Sequence, residues 1–128
     1  MITIPKFFIC NTCGNIVEMI EDKGPKVFCC GQKMEAIIEN TKEASTEKHI
    51  PKVTLNEDVV KVEVGSVLHP MTQEHYIGWI YVVANNGIRR IELEIDKDPI
   101  VEFKLNKDEK IEEVYAYCNL HGLWKFEI

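Results

Sequence analysis

The chain has 128 residues, with 15 Lys and Arg against 21 Asp and Glu, a formal net charge of −6 at pH 7, and 45% apolar, 9% aromatic and 28% charged side chains. This composition excludes a disordered or collagen-like chain, and the length excludes a large multidomain enzyme. The acidic balance argues against nucleic acid as a partner. No run approaches the roughly 18 consecutive apolar residues of a membrane span, and residues 1–10 lack a basic segment followed by an apolar one, so a soluble, cytoplasmic protein is expected.

Residues 6–10, 16–20 and 27–29 read as short strands, with Asp22, Lys23, Gly24 and Pro25 supplying turn chemistry between the last two. A lobe of about 38 residues buries too little apolar surface to fold unaided, so a cross-link is expected there. Residues 39–48 (ENTKEASTEK) hold one apolar side chain, an alanine, and read as a linker. Beyond it the period changes to two: Val60, Val62 and Val64 face one way and Lys61 and Glu63 the other, the pattern of a half-buried strand. Similar runs occupy residues 76–83, 88–95, 100–105, 111–117 and 123–128, with Asn85, Asn86 and Gly87 as a turn. Helix signals are nearly absent. The reading is a mainly β protein in which a small metal-binding lobe, residues 1–38, precedes an immunoglobulin-like antiparallel β-sandwich, residues 49–128.

The 5 cysteines and 4 histidines are segregated: Cys10, Cys13, Cys29 and Cys30 lie in the first segment, while His49, His69, His75, Cys118 and His121 lie beyond residue 48. An odd cysteine count leaves a thiol over from any closed disulfide set, and in a reducing cytoplasm metal ligation or redox chemistry is the better reading. Cys10 and Cys13, followed by Gly14, have the spacing of a metal knuckle. Cys29 and Cys30, followed by Gly31, complete four thiolates, a set that selects zinc or iron. Adjacent cysteines project to opposite sides of an extended chain, so both reach one ion only if the backbone bends between them. A redox dithiol at Cys10 and Cys13, or buried free cysteines, are the alternatives.

A single histidine on a strand is most often a hydrogen-bonded or surface residue. Here His69, His75 and the Cys118-x-x-His121 pair flank expected strands, where sandwich loops bring side chains together, and His49 follows the linker. Four imidazoles and one thiolate make a five-coordinate set with one position open to a small ligand. Imidazole suits iron, copper or zinc, and a thiolate donates electron density to iron, so redox-active iron is the expected metal.

Six motifs resemble those of the desulfoferrodoxin family, the two-iron superoxide reductases, in order and nearly end to end. They are Cys10-Asn11-Thr12-Cys13-Gly14, Cys29-Cys30-Gly31, Glu47-Lys48-His49-Ile50-Pro51, His69-Pro70-Met71, Glu74-His75-Tyr76-Ile77 and Cys118-Asn119-Leu120-His121-Gly122. The resemblance implies a desulforedoxin-like, rubredoxin-type iron on Cys10, Cys13, Cys29 and Cys30. It implies a catalytic iron with His49, His69, His75 and His121 equatorial and Cys118 axial, hence two irons per chain. The implied activity is one-electron reduction of superoxide to hydrogen peroxide without dioxygen, detoxifying the cell under oxidative stress, with rubredoxin or a similar small carrier as electron donor.

By the same resemblance Lys48 supplies positive potential beside the open position, and Glu47 takes the sixth position on ferric iron. Taken on residues alone, Lys48 is a solvated linker cation and Glu47 one more acid. The family's homodimers make an interface role for Phe7, Phe8 and Phe28 as natural as a core role. The first centre either relays electrons or holds the lobe and a dimer together. The competing class is a rubredoxin-like electron carrier with a structural or non-catalytic second metal site; metal storage is a weaker rival.

Overall fold

The computed structural model describes residues 5–41 and 44–128. Residues 1–4 of the expected metal-binding lobe, and Lys42 and Glu43 of the expected linker, lie outside them. The chain divides into two compact units, one ending at Ile38 and the other running over Glu39–Ile128.

The first unit contains β1 (Phe7–Ile9), β2 (Ile16–Glu18), β3 (Phe28–Cys29), β4 (Gln32–Lys33) and β5 (Glu35–Ile37). β1 is the centre of a three-stranded antiparallel sheet in the order β2-β1-β5, and β3 pairs with β4 as a separate hairpin. Buried apolar residues are few: Phe7, Cys10 and Met34. Phe7 therefore belongs to the lobe's core, whereas Phe28 is 66% exposed. The expected strands appear in shortened form. β4 and β5 carry no sequence signal because segments of two and three residues are too short to show an alternation.

The second unit begins with a single helical turn, α1 (Thr46–His49), inside the segment read as a linker. Seven strands follow: β6 (Pro51–Asn56), β7 (Val59–Val64), β8 (Ile77–Ala84), β9 (Gly87–Glu92), β10 (Ile100–Lys104), β11 (Ile111–Cys118) and β12 (Gly122–Glu127). They form two antiparallel sheets, β10-β7-β6 and β12-β11-β8-β9. The inward residues Val60, Val62 and Val64 of β7 pack in one core with Ile80 and Val82 of β8 and Val114 and Ala116 of β11. This is the face that the period of two assigns to the core, and it makes the unit a β-sandwich. β6 is the strand that pattern reading leaves unassigned: of its residues only Pro51 is buried, and Leu55 is 61% exposed. Among the described residues no helix is long and apolar enough to cross a membrane.

Register places the ends of several strands together. Pro51 at the start of β6 pairs with Val64 at the end of β7, and Cys118 at the end of β11 pairs with both Ile77 of β8 and Gly122 of β12. The segments just beyond those positions carry His49, His69, His75 and His121.

Candidate metal centres

In the first unit, Cys10 leaves β1 into a tight turn in which Gly14 N–H donates to Cys10 O at 2.8 Å and Cys10 N–H donates to Asn15 O at 2.9 Å. Gly14 has φ of +83°, a conformation open to glycine at no steric cost. The bend required between the adjacent cysteines is present: Cys30 has φ of +53° and Gly31 +74°, turning β3 into β4. As a result the four sulfurs lie within 4.8 Å of one another, with Cys13 Sγ 3.7 Å from Cys29 Sγ.

Their electrostatics fit a bound cation. The backbone N–H of Cys13 is the main cause that lowers the Cys10 thiol to about 6, while the neighbouring Cys13 and Cys10 sulfurs raise Cys29 and push Cys30 up to about 12. Four thiolates at this spacing repel one another, and a metal ion in their midst removes the conflict.

The second cluster is a ring of imidazoles. Going round it, the ring centroids of His49 and His69 are 4.6 Å apart, His69 and His75 4.5 Å, His75 and His121 5.1 Å, and His121 and His49 5.0 Å, each pair nearly perpendicular. Across the ring, His49 and His75 are 6.3 Å apart. Cys118, fully buried, places Sγ 3.4 Å from His69 Nε2 and 3.9 Å from His121 Nδ1. The thiol thus caps the inner side of the ring, while His75 and His121 are half-exposed.

Backbone carbonyls decide which nitrogens face inward. His49 Nδ1 is 2.6 Å from Ser45 O and His69 Nδ1 is 2.6 Å from Pro70 O, so each donates its proton there and turns a bare Nε2 to the centre. Those two Nε2 atoms stand 3.2 Å apart. Two lone pairs at that distance repel, and a shared cation converts the arrangement into ligation. His121 presents Nδ1, 3.1 Å from His49 Nε2, and His75 Nε2 is buried with no hydrogen-bond partner. Burial is the largest cause that lowers all three of His49, His69 and His75, with His69 at about 4, so for these three the neutral form that ligation requires is favoured. Burial likewise pushes the Cys118 thiol up, against which the backbone N–H groups of Leu120 and His121 pull.

Glu47 and Lys48 are exposed on α1, the turn that ends in His49. That turn is tied down through Glu47 O, which accepts from Val67 N–H at 3.0 Å and from Ser66 Oγ at 3.2 Å. Lys48 is close enough for its charge to contribute to lowering both His49 and His75, behind burial and the neighbouring imidazoles. Trp124, which no sequence pattern singles out, packs against His49 and is bonded to the backbone of His121.

A small four-thiolate lobe and a β-sandwich whose loops hold four imidazoles over a thiolate define a two-centre, non-haem metalloprotein. The desulfoferrodoxin family model matches residues 41–127, and the model of the desulfoferrodoxin N-terminal domain matches residues 5–37. The desulfoferrodoxin of Syntrophotalea carbinolica is 42% identical over 118 residues, 92% of each chain. The crystal structure of the superoxide reductase from Treponema pallidum matches with a TM-score of 0.82 at 39% identity, over 98% of this chain and 100% of that one. A one-iron superoxide reductase from Giardia intestinalis matches with a TM-score of 0.54 at 29% identity, over 64% of this chain and 99% of that one. The chain belongs to the desulfoferrodoxin family, and its set of four cysteines and its set of His49, His75, His121 and Cys118, which His69 joins through His49 and Cys118, correspond to that family's two iron centres.

Proposed function

We propose that the chain is a superoxide reductase, with one iron held by Cys10, Cys13, Cys29 and Cys30 and the catalytic iron held by His49, His69, His75, His121 and Cys118. The observation that carries this reading is the closed ring of four imidazoles over a buried thiol. Iron held by that set would supply, in its ferrous form, the one electron that together with two protons turns superoxide into hydrogen peroxide. The protein's own residues do the rest. Four neutral imidazoles and one thiolate leave a local charge of +1 on a ferrous site, which attracts an anion although the whole chain carries −6. Lys48 would add to that local field from the exposed side of α1, and Glu47 beside it would supply a carboxylate to ferric iron.

The match to a one-iron superoxide reductase over 64% of this chain supports placing catalysis in the larger unit. An external donor must return the iron to the ferrous state, and a small rubredoxin-type carrier is the proposed one. We further propose a homodimer in the cytoplasm, supported by family membership and, for the compartment, by 5 free cysteines. The rival reading, an electron carrier with an inert second site, gives no reason for the imidazole ring.

The test is to mix the iron-loaded protein and a chemical reductant with a pulse of superoxide. One hydrogen peroxide per superoxide consumed and no dioxygen is the expected result. Dioxygen evolved in equal amount with peroxide means dismutation, and superoxide that survives means no catalysis; either ends the proposal.

A further inference from the structure

Three of the five inward-facing donors are held by contacts at the side chain itself or immediately beside it. His49 and His69 each lean on a carbonyl through Nδ1, and Cys118 receives the N–H groups of Leu120 and His121. His75 is held otherwise. Its Nε2 is buried and unpartnered, and the hydrogen bonds that fix it run through its backbone. On one side, Thr72 N–H donates to His75 O at 2.9 Å, and His75 N–H donates to Thr72 Oγ1 at 3.1 Å. On the other side the partner is Asn119, a residue 45 positions from Glu74. Asn119 Nδ2 donates to Glu74 O at 2.9 Å, Asn119 Oδ1 accepts from Tyr76 N–H at 2.9 Å, and Asn119 N–H donates to Tyr76 O at 3.2 Å. Its side-chain amide therefore grips the chain immediately before and immediately after His75, with a donor for the carbonyl and an acceptor for the amide. Asn119 itself lies between Cys118 and His121.

We propose that Asn119 is the positioning residue of His75: it locks residues 74–76 to the Cys118–His121 loop so that His75 Nε2 and Cys118 Sγ converge on one metal ion. His75 has no carbonyl to steer its ring as His49 and His69 have, so its ring loosens when this clamp is cut. The inference rests on the reading of these five side chains as one metal site, not on superoxide chemistry. Only an amide of this length serves both bonds. Asp keeps the acceptor for Tyr76 N–H and loses the donor for Glu74 O; Ala loses both.

The experiment compares the two-iron protein with Asn119→Asp, Asn119→Ala and the reference variant His75→Ala. Iron affinity at the histidine site is read by competition with a chromophoric chelator, and the ferric absorption of that site is recorded; far-UV circular dichroism and thermal unfolding report folding of the β-sandwich, and the four-cysteine band reports the separate lobe. Loss of an outer hydrogen-bond partner typically weakens metal affinity by about 10- to 100-fold. Asn119→Ala is expected to fall in that range with a ferric spectrum displaced toward that of His75→Ala, Asn119→Asp in between, and the four-cysteine band unchanged. An affinity and spectrum of Asn119→Ala matching the parent overturn the proposal. So does a spectrum that loses the thiolate-to-iron band, which reassigns Asn119 to Cys118. If Asn119→Ala fails to fold, Asn119→Asp is judged by the same criteria. A parent that binds iron at this site and leaves superoxide untouched ends the functional reading alone.

Discussion

Trp124 packs its ring against that of His49, with centroids 5.0 Å apart and planes tilted by 34°. Its indole N–H also donates to His121 O at 3.1 Å, so one buried side chain braces two neighbours of the imidazole ring. Trp124→Phe keeps an apolar ring beside His49 and removes one hydrogen bond, and an unfolding free energy lower by about 1 kcal/mol is expected. Trp124→Ala opens a cavity as well and is expected to cost about 3–5 kcal/mol. Guanidinium denaturation measures both, and equal costs for the two variants refute the division of labour between ring and N–H.

Gly65 sets how closely the turn bearing His49 approaches the β7 end. A Cβ placed there meets Glu47 O at 2.5 Å and Ile50 O at 2.9 Å, both backbone atoms that cannot rotate away. Gly65→Ala is expected to displace that turn, lowering stability by about 1–3 kcal/mol and weakening iron at the histidine site. Gly87→Ala, where an added Cβ meets nothing within 4 Å, serves as the comparison and is expected to change stability by less than about 0.5 kcal/mol. Thermal unfolding and iron content decide it; a Gly65→Ala protein indistinguishable from Gly87→Ala removes the close approach from the argument.

Lys48→Ala tests the local field. At low ionic strength the bimolecular reaction with superoxide is expected to slow by about 10-fold, and its dependence on salt to flatten, because the removed charge acts on an approaching anion through solvent. Stopped-flow rates that keep the parent's magnitude and salt slope would falsify the role given to Lys48.

The metal-free protein should weaken in mild acid. Burial holds His69 at about 4, with His49 and His75 lowered from the ordinary 6.5 in the same direction, whereas in the unfolded chain these imidazoles titrate at the ordinary value. Between about pH 6.5 and pH 4 the unfolded state therefore binds more protons, so stability falls as pH falls through that window. Melting temperatures of the apo protein recorded from pH 7.5 to pH 4 check the sign; a flat profile, or a rise toward acid, contradicts it.

Much of the fold and of both clusters is legible in the sequence. Val60, Val62 and Val64 alternate with Lys61 and Glu63, and all three valines are fully buried, because a strand with one face on a core must repeat every two residues. The nine thiols and imidazoles that the fold gathers into two clusters are legible too, since such side chains are scarce and their spacings local. The demand for a bend at Cys29 and Cys30 followed from the opposite projection of adjacent side chains, and the positive φ at Cys30 and Gly31 meets it. β6 escaped because its alternation of Val53 and Leu55 with Lys52 and Thr54 buries little, so its place rests on pairing with β7 more than on its own pattern.

What the sequence determined by itself was the chemical inventory and its periodicity: which donors exist, which strands carry a buried face, and where the chain must turn. Those are local properties, written within a few residues. The tertiary structure decided which imidazole nitrogen faces inward, that Trp124 and Asn119 brace the ring, and that Gly65 admits the turn carrying His49. Each of these joins segments far apart in the chain or depends on a carbonyl whose direction the fold sets. A hydrogen bond between residues 45 positions apart, such as that from Asn119 to Glu74, leaves no mark on the spacing of either one.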